Sequence, residues 1–171
     1  WIVVLISGAW LGSLLITILG VFGFYFGLTG GRLAALKQGS FSYADKGVVL
    51  LGLILSVIML AYAVILFTQA NISFGIIFTV FGLLFLMTTL RDTRKYVLNT
   101  STESRYGKSD WFFEHFIRMY ISFIAAITAF SSIQNLFREN TLNFLMPTVI
   151  GVILIRLTRK QYEKKMKIGK A

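Results

Sequence analysis

Residues 48–68 read VVLLGLILSVIMLAYAVILFT and carry no charged side chain. A helix crosses about 30 Å of hydrocarbon with roughly 20 apolar residues, so this stretch alone is long enough to span a membrane. Four further apolar stretches flank it, at residues 2–29, 74–90, 116–137 and 142–157. Together they predict an all-α, polytopic transmembrane helical bundle of about five spans.

The overall composition also favours a membrane environment over water. Hydrophobic residues make up 56% of the 171 residues and charged residues only 14%, whereas soluble domains carry about 25% charged residues. Backbone polar groups cannot remain unpaired in lipid, so spanning segments must be helices or a closed barrel. Because the apolar stretches show no alternation of period two, we predict helices.

Basic residues fall on one side of the predicted topology. Residues 31–47, residues 91–110 and the stretch from Arg156, at the end of the fifth span, onward hold every Lys and Arg except Arg118 and Arg138. Since cytoplasmic loops carry the excess of basic residues, we predict an outside N-terminus and a cytoplasmic C-terminus. We expect one transmembrane domain over residues 1–171, in which residues 158–171 form a basic tail.

The net charge of +10 predicts a lipid partner. The basic residues lie between and after apolar runs, so we expect the tail to contact anionic lipid headgroups, and we expect no nucleic acid partner. The absence of cysteine excludes disulfides and thiolate metal sites, and the single histidine, His115, excludes a histidine cage within one chain. We therefore expect no cofactor.

Two stripes of small residues recur at helical spacing. They are Gly20, Gly23, Gly27 and Gly30 in the first span, and Ser122, Ala125, Ala129 and Ser132 in the fourth. Small residues let helix backbones approach closely, which is how helices associate in lipid. Two interpretations are open: tight packing within the chain, or an interface with a second copy or a partner membrane subunit.

Glu114, His115 and Arg118 form the most polar cluster near a span. On a helix Glu114 and Arg118 are four residues apart, in the favourable order for an ion pair, and all three share one side. One interpretation is anchoring and packing at the membrane boundary, where long side chains reach water. The others are a proton or substrate site, or a haem ligand at His115 with a second histidine from elsewhere.

From residue 20 onward the chain resembles a family of bacterial multi-pass membrane proteins of unassigned function, most specifically in about its last sixty residues. The resemblance rests on a W…HxxRM…TAF…PTxIG pattern, here Trp111, His115, Arg118, Met119, Thr128, Ala129, Phe130, Pro147, Thr148, Ile150 and Gly151. The family is distantly similar to b-type cytochrome bundles. Its members carry an upstream half with a His-Arg…Gly-Arg motif, which this sequence lacks. The resemblance implies a bacterial inner (cytoplasmic) membrane.

These observations predict a non-catalytic membrane subunit or a helical bundle that handles small molecules or ions. The alternative is a membrane electron-transfer component that shares a b-type haem through His115. Because the sequence begins at Trp1 and not at Met, we expect it to be part of a longer chain.

Overall fold

A computed structural model describes residues 14–37, 41–100 and 109–165. Its helices are α1 (Leu14–Leu36), α2 (Tyr43–Thr68), α3 (Ile72–Asp92), α4 (Asp110–Gln134) and α5 (Asn140–Lys165). Within these ranges there is no strand, and all five helices are long and apolar enough to cross a membrane. The prediction of an all-α fold with five such helices is confirmed. The orientation of the termini stays a prediction.

The helices extend further than the apolar stretches that predicted them. α1 continues to Leu36, past the expected end at residue 29, and α5 reaches Lys165, inside the predicted tail. The reason is that Arg, Lys, Gln and Glu are good helix formers and their long side chains can reach water from a helix end. Hydropathy therefore marks only the apolar part of each helix. Residues 2–13 of the first predicted span lie outside the described residues.

The chain divides into two compact units, and one transmembrane domain over residues 1–171 stays a prediction. The first contains α1, α4 and α5 from Leu142 onward; the second contains α2, α3 and the π-helical turn Thr93–Val97 that continues α3. Each unit is held by antiparallel helix contacts, since residue numbers rise along one helix as they fall along its neighbour. Sequence order does not follow this division, because the α2–α3 hairpin separates α1 from α4.

In the first unit, α5 packs along α4 from one end to the other. A methyl group added at Gly151 would overlap the Ile124 side chain, so Ile124 packs directly against the α5 backbone there. Further along, the Tyr162 ring contacts Phe112 and Phe116 at centroid distances of 5.6 and 5.7 Å. Close approach through glycine and an aromatic cluster at the helix end together position α5.

The turn between α4 and α5 is organised by one buried amide. Asn143, 1% exposed, accepts a hydrogen bond from Phe137 N and donates one to Phe137 O, both at 2.8 Å. Asn135, which ends α4, has a left-handed backbone with φ of 48°, a conformation that Asn tolerates better than most residues. The turn thus satisfies its backbone groups with side chains where no helix can.

The second unit is an α2–α3 hairpin with its own close contacts. A Cβ at Gly82 would lie 2.7 Å from Leu60 Cδ2, and one at Gly75 would lie 2.8 Å from the Phe67 ring. The hydroxyl groups of Ser56 and Thr89, both fully buried, lie 3.4 Å apart. Glycine therefore permits the approach of these two helices as well.

Both units expose long apolar faces. On α2 and α5 these faces include Leu51, Ile54, Val57, Ile58, Val64, Val149, Ile150, Ile153, Leu154 and Leu157. Soluble monomers rarely expose continuous apolar patches larger than a few hundred Å². These helices therefore have surfaces suited to lipid or to another membrane helix.

Candidate functional site

The predicted polar residues of α4 lie against α1, in a contact that we call the polar seam (Gly23, Thr29, Gly30, His115, Arg118 and Ser122). Arg118 Nη1 donates a hydrogen bond to Thr29 Oγ1 at 2.8 Å. The Thr29 hydroxyl in turn donates to Tyr25 O at 2.7 Å, one turn earlier in α1. Thr29 is 3% and Arg118 6% exposed, so a cationic group and its acceptor are both buried between two helices.

His115 makes the second link across the seam. Its Nδ1 lies 2.8 Å from Gly30 O. A carbonyl oxygen only accepts, so this contact requires a proton on Nδ1. Nε2 is the ring nitrogen that takes no part in the bond to Gly30 O. The bond fixes the tautomer and the orientation of the ring against α1.

Gly30 allows the two helices to come this close. A Cβ at this position would lie 2.5 Å from Met119 Cε and 3.0 Å from Arg118 Cβ, and the next residue, Gly31, has open space around it. One turn further from the polar cluster, Ser122 Oγ donates to Gly23 O at 3.1 Å. Two glycines of the first stripe thus meet residues of α4 directly.

The remaining predicted residues occupy different environments. Gly20, Ala125 and Ala129 are buried, whereas Gly27 and Ser132 are partly exposed. Glu114 is 8% exposed and lies one helical turn before Arg118. The structure therefore brings Gly23, Gly30, His115, Arg118 and Ser122 into one contact, and places the other small residues along the same two helices.

The chemistry of the seam is that of helix association. Its donors reach either a hydroxyl or backbone carbonyls of α1. Throughout the described part of the chain, each buried side-chain nitrogen or oxygen has a hydrogen-bond partner. No group of three or more His, Asp or Glu side chains within residues 14–37, 41–100 and 109–165 is placed to hold a metal ion.

Sequence reasoning missed Thr29, which is the acceptor for Arg118. Its position directly before Gly30 was the available signal, because a hydroxyl next to a close-approach glycine can meet the facing helix. It also missed Asn143, which resembles any polar residue at a helix end until its partner at Phe137 is known.

Comparison of the chain with protein-family models, with curated proteins and with solved structures finds no match. The resemblance to the family with the W…HxxRM…TAF…PTxIG pattern therefore stays a prediction.

Proposed function

We infer that the chain is a non-catalytic membrane component, whose polar intramembrane residues hold its own helices together. The observation that carries this proposal is the polar seam. Arg118, His115 and Ser122, which a catalytic or transport site would aim at a ligand, each bond to α1 instead. Polar groups of this kind stabilise helix pairs in lipid.

The location and topology belong to the same proposal. Basic residues on one side of the apolar stretches support a cytoplasmic C-terminus, and the family resemblance implies the inner membrane of a bacterium. The described end of α5 carries Lys160, Lys164 and Lys165, all exposed, and Arg159 Nε is 3.0 Å from Glu163 Oε1. This basic helix end is suited to anionic lipid headgroups. The exposed faces of α2 and α5 would then meet lipid, a second copy or a partner subunit.

Reconstitution into liposomes tests the proposal against ion handling. We expect proton, sodium and potassium flux no greater than in empty liposomes, and we expect Arg118→Ala to reduce thermal stability in detergent. Arg118→Lys is the matched variant, because it keeps the charge but loses the planar donor set. A flux that Arg118→Ala abolishes while the variant stays folded would show that the seam handles ions.

A second candidate is the electron-transfer component, which one observation favours. Histidines that bind metals usually donate their other ring nitrogen to a carbonyl or carboxylate, and His115 Nδ1 is 2.8 Å from Gly30 O. Nε2 would then hold the iron of a haem, which supplies one-electron chemistry when bound. A second residue to hold the haem would have to come from another chain or be of another type, since His115 is the single histidine.

An absorption spectrum of the protein, purified from membranes that overproduce it, separates the two candidates. We expect a colourless purified protein. A Soret band that is present in the wild-type protein and lost in His115→Ala would favour the electron-transfer component over the non-catalytic one. His115→Asn is the control, because its amide can still donate to Gly30 O.

A further inference from the structure

One end of the second unit contains a pocket that the proposed function does not use. It lies where the start of α2 meets the π-helical turn after α3, and its volume is 460 Å³. The Phe41 and Tyr96 rings form one wall, stacked at 4.0 Å between centroids with an angle of 28° between the planes. The pocket is therefore built from two segments that are far apart in sequence.

The charge of the pocket is positive. Lys46 and Lys95 line it, and none of the described residues that line it is acidic. Each ammonium lies near a ring of the pocket, Lys46 Nζ at 5.9 Å from the Tyr43 centroid and Lys95 Nζ at 5.2 Å from the Tyr96 centroid. The two cations are thus held at the pocket by aromatic neighbours.

The acidic residue next to Lys46 in the sequence is engaged in the first turn of α2. Asp45 accepts hydrogen bonds from Ser42 N at 2.9 Å and Ser42 Oγ at 2.7 Å, in the capping box that starts α2. It is buried under the helix start and does not line the pocket. The capping box fixes the first turn of α2, and with it the positions of Tyr43 and Lys46.

Polar donors and the boundary of the apolar helices complete the site. Asn99, in the left-handed region with φ of 51°, adds an amide to the lining, and Tyr43, 92% exposed, adds a hydroxyl. After Lys46 no charged residue occurs until Arg91, so the pocket lies where the apolar hairpin ends. In a membrane protein this is the depth of the lipid phosphates.

We propose that this pocket, lined by Phe41, Tyr43, Lys46, Lys95, Tyr96 and Asn99, binds the phosphate group of an anionic ligand. Two lysines with an amide and a hydroxyl match the charge and the acceptor oxygens of a phosphate. The stacked rings provide an apolar wall for the glycerol or acyl portion of a phospholipid. A phospholipid headgroup and a soluble phosphate share this chemistry, and the two sources are separated by experiment.

Binding is measured on the purified chain in detergent by native mass spectrometry. Phosphatidylglycerol is the anionic probe and phosphatidylcholine the neutral one; inorganic phosphate is titrated separately by ³¹P NMR. The double variant Lys46→Gln/Lys95→Gln removes the two charges at the pocket. Lys37→Gln/Arg138→Gln, at two exposed positions outside the pocket, removes the same charge elsewhere.

The wild-type chain should retain phosphatidylglycerol over phosphatidylcholine. The pocket variant should lose about thirtyfold in affinity, since each lysine near an anionic surface contributes about fivefold, and the Lys37→Gln/Arg138→Gln control should lose much less. Lys46→Arg/Lys95→Arg should restore binding, which guards against a folding defect in the Gln variant. Phosphate binding with the same dependence on Lys46 and Lys95, without lipid preference, would support the site with soluble phosphate as its source.

Three results would overturn the proposal. The first is that phosphatidylglycerol binds no more tightly than phosphatidylcholine and that inorganic phosphate does not bind. The second is that the pocket variant and the Lys37→Gln/Arg138→Gln control lose affinity equally, because general attraction to basic charge then explains the binding. The third is that the Arg variant folds, as judged by circular dichroism, and still fails to bind.

Discussion

Burying the Arg118 side chain without hydrogen-bond acceptors would destabilise the protein, whereas beside Thr29 the same side chain stabilises the contact of α1 with α4. A guanidinium removed from water needs acceptors for its donors, and Thr29 Oγ1 provides one at 2.8 Å. Thr29 can do so because its own hydrogen goes to Tyr25 O. The two residues therefore act as a relay that ties the charge of α4 to the backbone of α1.

Thr29→Val keeps the shape of the side chain and removes this acceptor. We expect the free energy of unfolding in detergent to fall by about 1–3 kcal/mol, because a buried charged donor loses its partner. Thr128→Val is the control: Thr128 is fully buried on α4 and donates to Ile124 O of its own helix at 2.8 Å. Circular dichroism during titration with a denaturing detergent measures the free energy of unfolding of both variants. Equal losses of free energy in Thr29→Val and Thr128→Val would show that the relay contributes nothing.

Gly30→Ala tests the close approach of α1 and α4. The added methyl would lie 2.5 Å from Met119 Cε and 3.0 Å from Arg118 Cβ, so we expect a loss of about 1–3 kcal/mol from overpacking. Gly31→Ala places the same methyl in open space and should gain up to about 1 kcal/mol from helix propensity. Thermal melting of the two variants should move in opposite directions. A Gly30→Ala protein as stable as Gly31→Ala would contradict the described contact.

At the scale of elements, the α4–α5 turn depends on Asn143 more than on its loop sequence. Asn143→Leu leaves Phe137 N and O without their side-chain partner and should cost about 1–3 kcal/mol. Asn71, at the α2–α3 turn, is exposed and its side chain makes no capping hydrogen bond. Asn71→Leu should therefore change stability by less than about 0.5 kcal/mol. Both are measured by thermal unfolding, and a neutral Asn143→Leu would refute the role of this amide.

Sequence reasoning predicted the helices well because an uncharged stretch such as residues 48–68 has few alternatives in lipid. It predicted only the apolar part of each helix. Arg32 and Arg159 lie inside α1 and α5, beyond the apolar stretches that predicted these two spans. Helix formation depends on backbone hydrogen bonds and continues past the point where apolar residues stop.

The polar seam was only partly predictable. Periodicity could place Gly23 and Gly30 on one face of α1, and Ser122 on α4, because that requires only helical geometry. It could not pair Arg118 with Thr29, since helices α2 and α3 lie between these two residues in the sequence. The stack of Phe41 on Tyr96 is a similar case. Which distant residues meet depends on the packing of whole helices.

At the scale of the whole molecule, each unit combines buried polar links with exposed apolar faces. The first unit buries Thr29, Arg118 and Asn143, while α5 exposes Ile150 and Ile153. A water-soluble protein would show the reverse distribution. This pattern, together with five sufficiently long helices, is the basis of the membrane assignment.

Single-cysteine labelling tests that assignment most directly, because the chain has no cysteine of its own. Cysteines replace Asn71, Asn99, Arg138 and Lys164 one at a time, all exposed outside or at the ends of helices. With a membrane-impermeant maleimide applied to sealed cells, we predict labelling at residues 71 and 138, and labelling at residues 99 and 164 only after the membrane is opened. Labelling of all four positions in sealed cells would contradict five helices crossing the membrane.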